Sequence, residues 1–414
     1  MKQNSLVLGI DIGTSGVRIA LINEANDLIY SSSAKYLVGF KYCEGWKTSC
    51  KFLIKNIPHE YKKRLVACSV DGTSGTLIAC KQNGESLGNA IPYYISSEPS
   101  KDCFLNEFPD LKDILNLNSS ISRALELIHL YGENILLRHQ ADWITGWLLN
   151  NWEFGEEGNN IRLGWNLLKK SWLPFLNEIS WQKKLPKVIA SGSKFGYISK
   201  AMAKELDLPE NLSIIAGTTD SNAAVLAANA KPNEGITVLG STIVIKIFVE
   251  KPILSPGITN HLVGGKWISG GASNAGGAIL KKFFSEKTLQ ELSRQINPEK
   301  ESGLMLMPLL SKGERFPIND PNLEPILSPR PISDALYLHG LFEGLARIEA
   351  KGWERLATLG AKRPNKIVTI GGGAQNPQWR RIRERLIGIP IRTSTKQPAE
   401  GVARIAMEAI RKKS

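Results

Sequence analysis

Residues that build metal centres and disulfide frameworks are scarce in this chain. Only five cysteines and five histidines occur in 414 residues. Cys43, Cys50, Cys68, Cys80 and Cys103 are odd in number and contain no Cys-x-x-Cys, which excludes a fully paired disulfide scaffold and any zinc-ligand spacing. Reduced thiols of this kind suit a reducing, cytoplasmic compartment. No apolar run approaches the roughly 20 residues of a membrane span, so no membrane partner is expected. The first apolar run starts at Leu6, which leaves no room for a signal or transit peptide. Acidic residues are outnumbered, 39 against 52 basic, for a net charge of +13. The basic residues are scattered in short clusters such as Lys183-Lys184 and Arg411-Lys412-Lys413, the pattern of solvated faces, and nucleic acid is not an expected partner. What remains is a globular composition, 42% apolar and 22% charged, long enough for two domains.

Against this background one stretch stands out. Leu6-Val-Leu-Gly-Ile-Asp-Ile-Gly-Thr-Ser-Gly-Val-Arg18 reads as a buried strand, a tight turn and a second strand. Gly13 and Gly16 bracket Thr14 and Ser15, with Asp11 before the turn and Arg18 after it. Two readings fit: an ordinary hairpin with Gly-Thr-Ser turn chemistry, or a phosphate-binding turn whose carboxylate meets the Mg²⁺ that accompanies a nucleotide.

The pattern returns along the chain. Leu65 to Val70 is a strand that ends in Asp71-Gly-Thr-Ser-Gly75, and Thr76 to Cys80 is another strand. Ser213 to Ala216 is a strand followed by Gly217-Thr-Thr-Asp-Ser221 and an Ala-rich helix, which places Asp220 at a helix N-terminus, as a plain cap or as a catalytic carboxylate. Ile236 to Phe248 repeats the opening hairpin around Gly240-Ser-Thr242. Gly270-Gly-Ala-Ser-Asn-Ala-Gly-Gly277 opens a helix, and the strand Lys366–Ile370 runs into Gly371-Gly-Gly-Ala-Gln-Asn376 and a helix from Pro377. Between these, helices are expected over much of 43–66, 105–155, 333–360 and 400–413, a strand over Leu304–Leu310, and irregular chain over 156–200.

The ordered combination resembles the FGGY family of carbohydrate kinases in the actin-like ATPase superfamily, over essentially the whole chain. The compact length, with Asp71–Gly75, Gln140-Ala-Asp-Trp143, Ala216–Ser221 and Gly271–Gly277, is similar to a pentulose-kinase branch whose members act on D-ribulose. The resemblance implies an α/β fold of two ribonuclease-H-like domains, mixed sheets flanked by helices, with a cleft between them. Residues 1–226 would form the sugar-side domain, joined by a terminal helix at 401–414, and 227–400 the nucleotide side. The substrates would be ATP with Mg²⁺ and a small sugar, most readily D-ribulose, with D-xylulose or another ketose or polyol as the alternative, in a monomer or homodimer.

By the same resemblance Asp220 is the general base and Asp11 the metal carboxylate. Gly13, Thr14, Ser15 and Arg18 form the first phosphate turn, and Gly240, Ser241 and Thr242 the second. Gly276, Gly277, Gly372, Gly373 and Asn376 flank the nucleotide. Asp11, Thr14, Asp71, Thr73, Ser74, Asp142 and Asp220 face the sugar, with Asn159 a further candidate. The chain departs from the family in two places. It lacks the Met-His that many xylulose kinases carry where Asp71–Ser74 stands, and it has Gln397 where a Glu is usual, four residues before Gly401. A sugar or nucleotide sensor on the same fold need not keep Asp220, and an actin-like filament protein would have no use for the polar turn at 71–75.

Overall fold

The computed structural model describes residues 4–95 and 119–412. The chain divides into two compact units: residues 1–227 with 262–265 and 396–414, and residues 228–261 with 266–395.

Unit 1 is built on a six-stranded sheet. Strands β1 (Leu6–Ile12), β2 (Gly16–Ile22) and β3 (Leu28–Lys35) form an antiparallel meander. β4 (Leu65–Gly72) lies parallel on the other side of β1. β5 (Lys194–Tyr197) and β6 (Ser213–Thr219) complete the order β5-β6-β4-β1-β2-β3. β1, β4 and β6 are buried along nearly their whole length, as strands covered on both faces must be. One cover is helix α1 (Cys43–Lys55), whose Cys43, Trp46, Cys50, Leu53 and Ile54 recur at helical spacing and pack on β2 and β3. The described cysteines are all free and buried, and burial raises their thiols. Helix α2 (Gln140–Leu149) packs against β4 and β6, and helix α3 (Asp220–Ala227) follows β6 directly.

Unit 2 repeats the arrangement. β7 (Glu234–Leu239), β8 (Ile243–Val249), β9 (Ile258–Val263), β10 (Lys266–Ala272), β11 (Lys366–Ile370) and β12 (Ile391–Thr393) run in the order β9-β10-β8-β7-β11-β12. Here too a hairpin, β7 and β8, has a parallel neighbour, β11, on the side of its first strand. Helices α4 (Gly277–Phe283), α5 (Glu286–Ser293), α6 (Asp334–Thr358) and α7 (Pro377–Ile387) complete this unit. A buried ion pair ties helices to sheet: Arg383 holds Glu349 through Nε at 2.6 Å and Nη2 at 2.7 Å. Arg383 Nη1 donates to Thr369 on β11, and Thr237 on β7 donates to Glu349. Every charge in the cluster has a partner, which a buried pair requires.

The last helix, α8 (Pro398–Arg411), comes after unit 2 in sequence but packs in unit 1 against β1, β2, β4, β6 and α3. Its first turn explains Gln397. Gln397 is the N-cap, and its backbone N donates to Glu400 Oε1 at 3.2 Å in a capping box.

Two expected elements differ. Leu304–Leu310 is not a strand; it forms one isolated bridge, Met307 to Ile326, because Pro308 offers no N–H to continue a ladder. Within the stretch expected to be mostly helical at 105–155, residues 105–118 lie outside the described residues, and Leu136–His139 is a strand paired with Leu77–Cys80. Among the described residues, no helix is long and apolar enough to cross a membrane.

Candidate active site

In unit 1 the parallel register delivers three carboxylates to the same end of the sheet. Asp11 pairs with Asp71 across β1 and β4, Thr219 pairs with Gly72 across β6 and β4, and Asp220 follows Thr219. The C-terminal ends of adjacent parallel strands are where α/β sheets bind ligands. Asp11 is 2% exposed and Asp71 fully buried, while Asp220 is half-buried.

Their electrostatics follow from this crowding. Burial raises the Asp71 carboxyl well above its ordinary value, and the neighbouring Asp11 and Asp220 charges raise it further. No described group hydrogen-bonds either Asp71 oxygen. Burial raises Asp11 as well, against the opposing pull of Asp71 and Arg18, whose Nη1 lies 3.1 Å from Asp11 Oδ2. Among the described residues there is no group of three or more His, Cys, Asp or Glu able to hold a metal alone. The Asp11 carboxyl, beside the first hydroxyl turn, fits Mg²⁺ that brings phosphate oxygens and water as its other ligands.

The β1–β2 turn is closed by Gly13 N on Gly16 O at 3.0 Å, and the Tyr36 hydroxyl donates to Gly13 O at 2.7 Å. Thr14 and Ser15 are exposed at its tip. Around β4, the expected sugar residues take different places. Thr73 is committed to Gln140, through N at 2.9 Å and Oγ1 at 2.8 Å, with Thr76 Oγ1 a further 2.7 Å contact. Ser74 Oγ accepts from Arg162 Nε at 3.0 Å. Asp142 is buried, and both of its oxygens are engaged by protein, Oδ1 by Glu156 N at 2.9 Å and Oδ2 by Asn160 Nδ2 at 3.0 Å. Both Asp142 oxygens thus anchor the 154–160 segment, which leaves only their remaining lone pairs for the expected sugar contact. Asn159, on that segment, reaches Thr218 O with Nδ2 at 3.5 Å.

Asp142 yields a stability prediction. Burial pushes its carboxyl from 3.8 up to about 7. Because folding favours the protonated form, its contribution is complete below the ordinary carboxylate value and is lost as pH rises through about 7. Asp142→Asn cannot titrate. The stability difference between wild type and variant, measured by urea unfolding, should shift against wild type from about pH 4 to about pH 8. A difference that stays flat over that range would show that Asp142 does not carry this proton.

In unit 2 a cavity of about 800 Å³ is lined by Gly240, Ser241, Gly277, Gly372, Gly373 and Asn376 together with α5 and the start of α7. Thr242 and Gly276 are beside it but do not line it. Gly276 is needed where it stands, since a Cβ would lie 2.5 Å from both Ser241 O and Thr242 Cα. The β7–β8 turn closes through Gly240 N on Thr242 O at 3.1 Å, and Gly277 N returns to Gly240 O at 2.9 Å. Ser241 is exposed at the tip, as Thr14 and Ser15 are in the first hairpin. Both atoms of the Asn376 amide have protein partners: Oδ1 caps α7 through Trp379 N at 2.9 Å, and Nδ2 donates to Ser293 at 2.8 Å. It lines the cavity with one N–H and one oxygen lone pair still available. Phe342 stacks on Trp379, with centroids 5.2 Å apart and planes within 8°.

Sequence reading missed the α5 wall, from which Glu286, Leu289, Gln290, Ser293 and Arg294 face the cavity. Its one local signal was Ser285, whose side chain caps the helix at Thr288 N. Reading also missed Gln140, Arg162 and Tyr93. The Tyr93 hydroxyl is raised first by burial and then by the Asp220 charge.

Comparison with known proteins adds the following. Residues 236–410 match the C-terminal domain of the FGGY family of carbohydrate kinases. A xylulose kinase of Staphylococcus xylosus is 24% identical, over 97% of this chain and 90% of that protein. The ligand-bound xylulose kinase of Lactobacillus acidophilus superposes with a TM-score of 0.80 at 17% identity, over 98% of this chain and 90% of the other. Plasmodium falciparum glycerol kinase with ADP superposes at 0.78 and 16% identity, over 98% and 88%. The fold is the two-domain actin-like ATPase fold of these kinases.

Proposed function

We propose that this chain, whose residues 236–410 belong to the FGGY family of carbohydrate kinases, transfers the terminal phosphoryl group of ATP to a ketopentose, with D-ribulose preferred. The observation that supports it most is the trio Asp11, Asp71 and Asp220 at adjacent parallel strand ends. The relatives named as xylulose kinases support a pentulose as acceptor. The Asp-Gly-Thr-Ser sequence in place of Met-His supports ribulose over xylulose.

Kinases of this family use ATP with Mg²⁺, and the metal, when bound, neutralises charge on the phosphates. Asp11 would hold it. The hydroxyl and amide tips at Gly13–Ser15 and Gly240–Thr242 would meet phosphate oxygens, and the unit 2 cavity would take the nucleoside. Asp220 accepts the proton of the sugar hydroxyl as that oxygen bonds to phosphorus and ADP leaves. It stands half-exposed at the start of α3, where a helix N-terminus favours a carboxylate. Phosphoryl transfer needs little beyond this base, in-line positioning and charge stabilisation.

The test is ADP release with Mg²⁺·ATP over a panel of ketopentoses, polyols and hexoses. A ketopentose should stimulate release, with D-ribulose giving the highest kcat/KM. Release that no sugar raises above the sugar-free rate removes the kinase reading, and preference for another ketose replaces the substrate alone.

A further inference from the structure

Gln140 opens α2 with its side chain wholly buried. Its Oε1 accepts from Thr73 N and Thr73 Oγ1. A backbone N–H can only donate, so the oxygen must face Thr73 and Nε2 must point the other way. Nε2 therefore carries two N–H donors, and no described residue accepts either. Asn159 is the counterpart. Its Nδ2 donates to Glu156 Oε2 at 2.9 Å and its backbone N donates to the same oxygen at 2.8 Å. That leaves Oδ1 as a buried acceptor that no described donor reaches.

Both amides lie at the ends of β4 and β6. A Cβ on Gly72, the last residue of β4, would lie 3.1 Å from Gln140 Oε1. Asn159 Nδ2 reaches the carbonyl of Thr218, the residue in register with Asp71 on β6. Leaving buried polar groups unpaired costs on the order of 1–3 kcal/mol each, so two amides left this way at adjacent strand ends point to a ligand that pairs them. A neutral double donor and a neutral acceptor complement neighbouring hydroxyls, each of which donates and accepts. They do not complement an anion, for which fixed cations would be needed.

We propose that Gln140 reads a hydroxyl of the sugar through Nε2, with Asn159 Oδ1 beside it, and that this amide pair determines which polyhydroxy acceptors the site takes. The inference rests on the sugar-kinase reading above. A site built to hydrogen-bond a hydroxyl rejects the analogue that lacks it, because its own groups are then left unpaired.

The test uses the full chain, its best ketopentose and that sugar's singly deoxygenated analogues. Gln140→Glu keeps an oxygen on Thr73 and replaces the donor by an acceptor. KM for the sugar should rise by about tenfold or more while KM for ATP stays unchanged. One deoxy analogue that wild type disfavours should be used as well as the parent sugar. Unchanged sugar KM with the deoxy penalty intact overturns the proposal, since a merely supporting Gln140 would leave that penalty in place. If the new charge unfolds the protein, Gln140→Met is measured in the same way, with the same two outcomes. Wild type that phosphorylates no sugar defeats the kinase reading and this inference with it. Wild type that works, beside a variant of unchanged selectivity, defeats this inference alone.

Discussion

Asp220→Asn should lower kcat by about 10²–10⁴-fold while leaving nucleotide affinity and the unfolding midpoint close to wild type. The amide matches the carboxylate in size, and its Oδ1 can still accept from Ser221 N, a 2.7 Å bond in the native turn. What it cannot do is take a proton. A second readout is independent of turnover. The Asp220 charge raises both Asp71 and Tyr93, so its removal should lower the Tyr93 titration, followed by ultraviolet absorbance. A variant that keeps sugar-dependent turnover within about twofold of wild type would remove Asp220 from the role of base. A nucleotide or sugar sensor on this fold would show the same ligand affinity with and without the carboxylate, and no turnover in either form.

The second large effect concerns packing. Gly401→Ala should destabilise unit 1 by about 3 kcal/mol, at the upper end for overpacked sites. A Cβ there would overlap the carbonyl oxygen of Ala223 and come within 2.8 Å of Ala227 N. Both obstacles are backbone of α3, so no side-chain rotation relieves the overlap, and α8 must move away from the helix that Asp220 begins. The thermal midpoint should fall by several degrees, roughly 2–4 °C for each kcal/mol in a domain of this size. Activity at permissive temperature should fall with it. A midpoint within about 1 °C of wild type would mean that the two helices do not meet at Gly401.

The comparison of Asp220 with Asp142 shows what the sequence made legible and what it did not. Both are acids within one turn of a helix start, and sequence reading placed both near a ligand. Asp220 follows a central parallel strand, so its position at the sheet end is implied by the strand–turn–helix pattern. Asp142 differs only in its surroundings, Glu156 N and Asn160 Nδ2, which come from a segment more than ten residues away. Asn376 was likewise legible as a residue of the glycine turn, but not the partners of its amide, Trp379 and Ser293.

By itself the sequence determined the two hairpins, the strand-end carboxylates, the glycine turns and the long helix at 334–358. Each of these rests on local periodicity or on turn chemistry that neighbouring residues supply. Only the tertiary structure decided that β1, β4 and β6 lie side by side and that α5 walls the cavity. It also decided which polar groups remain unpaired: Gln140 and Asn159 are left with open valences because their other atoms are taken by Thr73 and Glu156. Hydrogen-bond satisfaction depends on partners distant in sequence, and no local pattern encodes it.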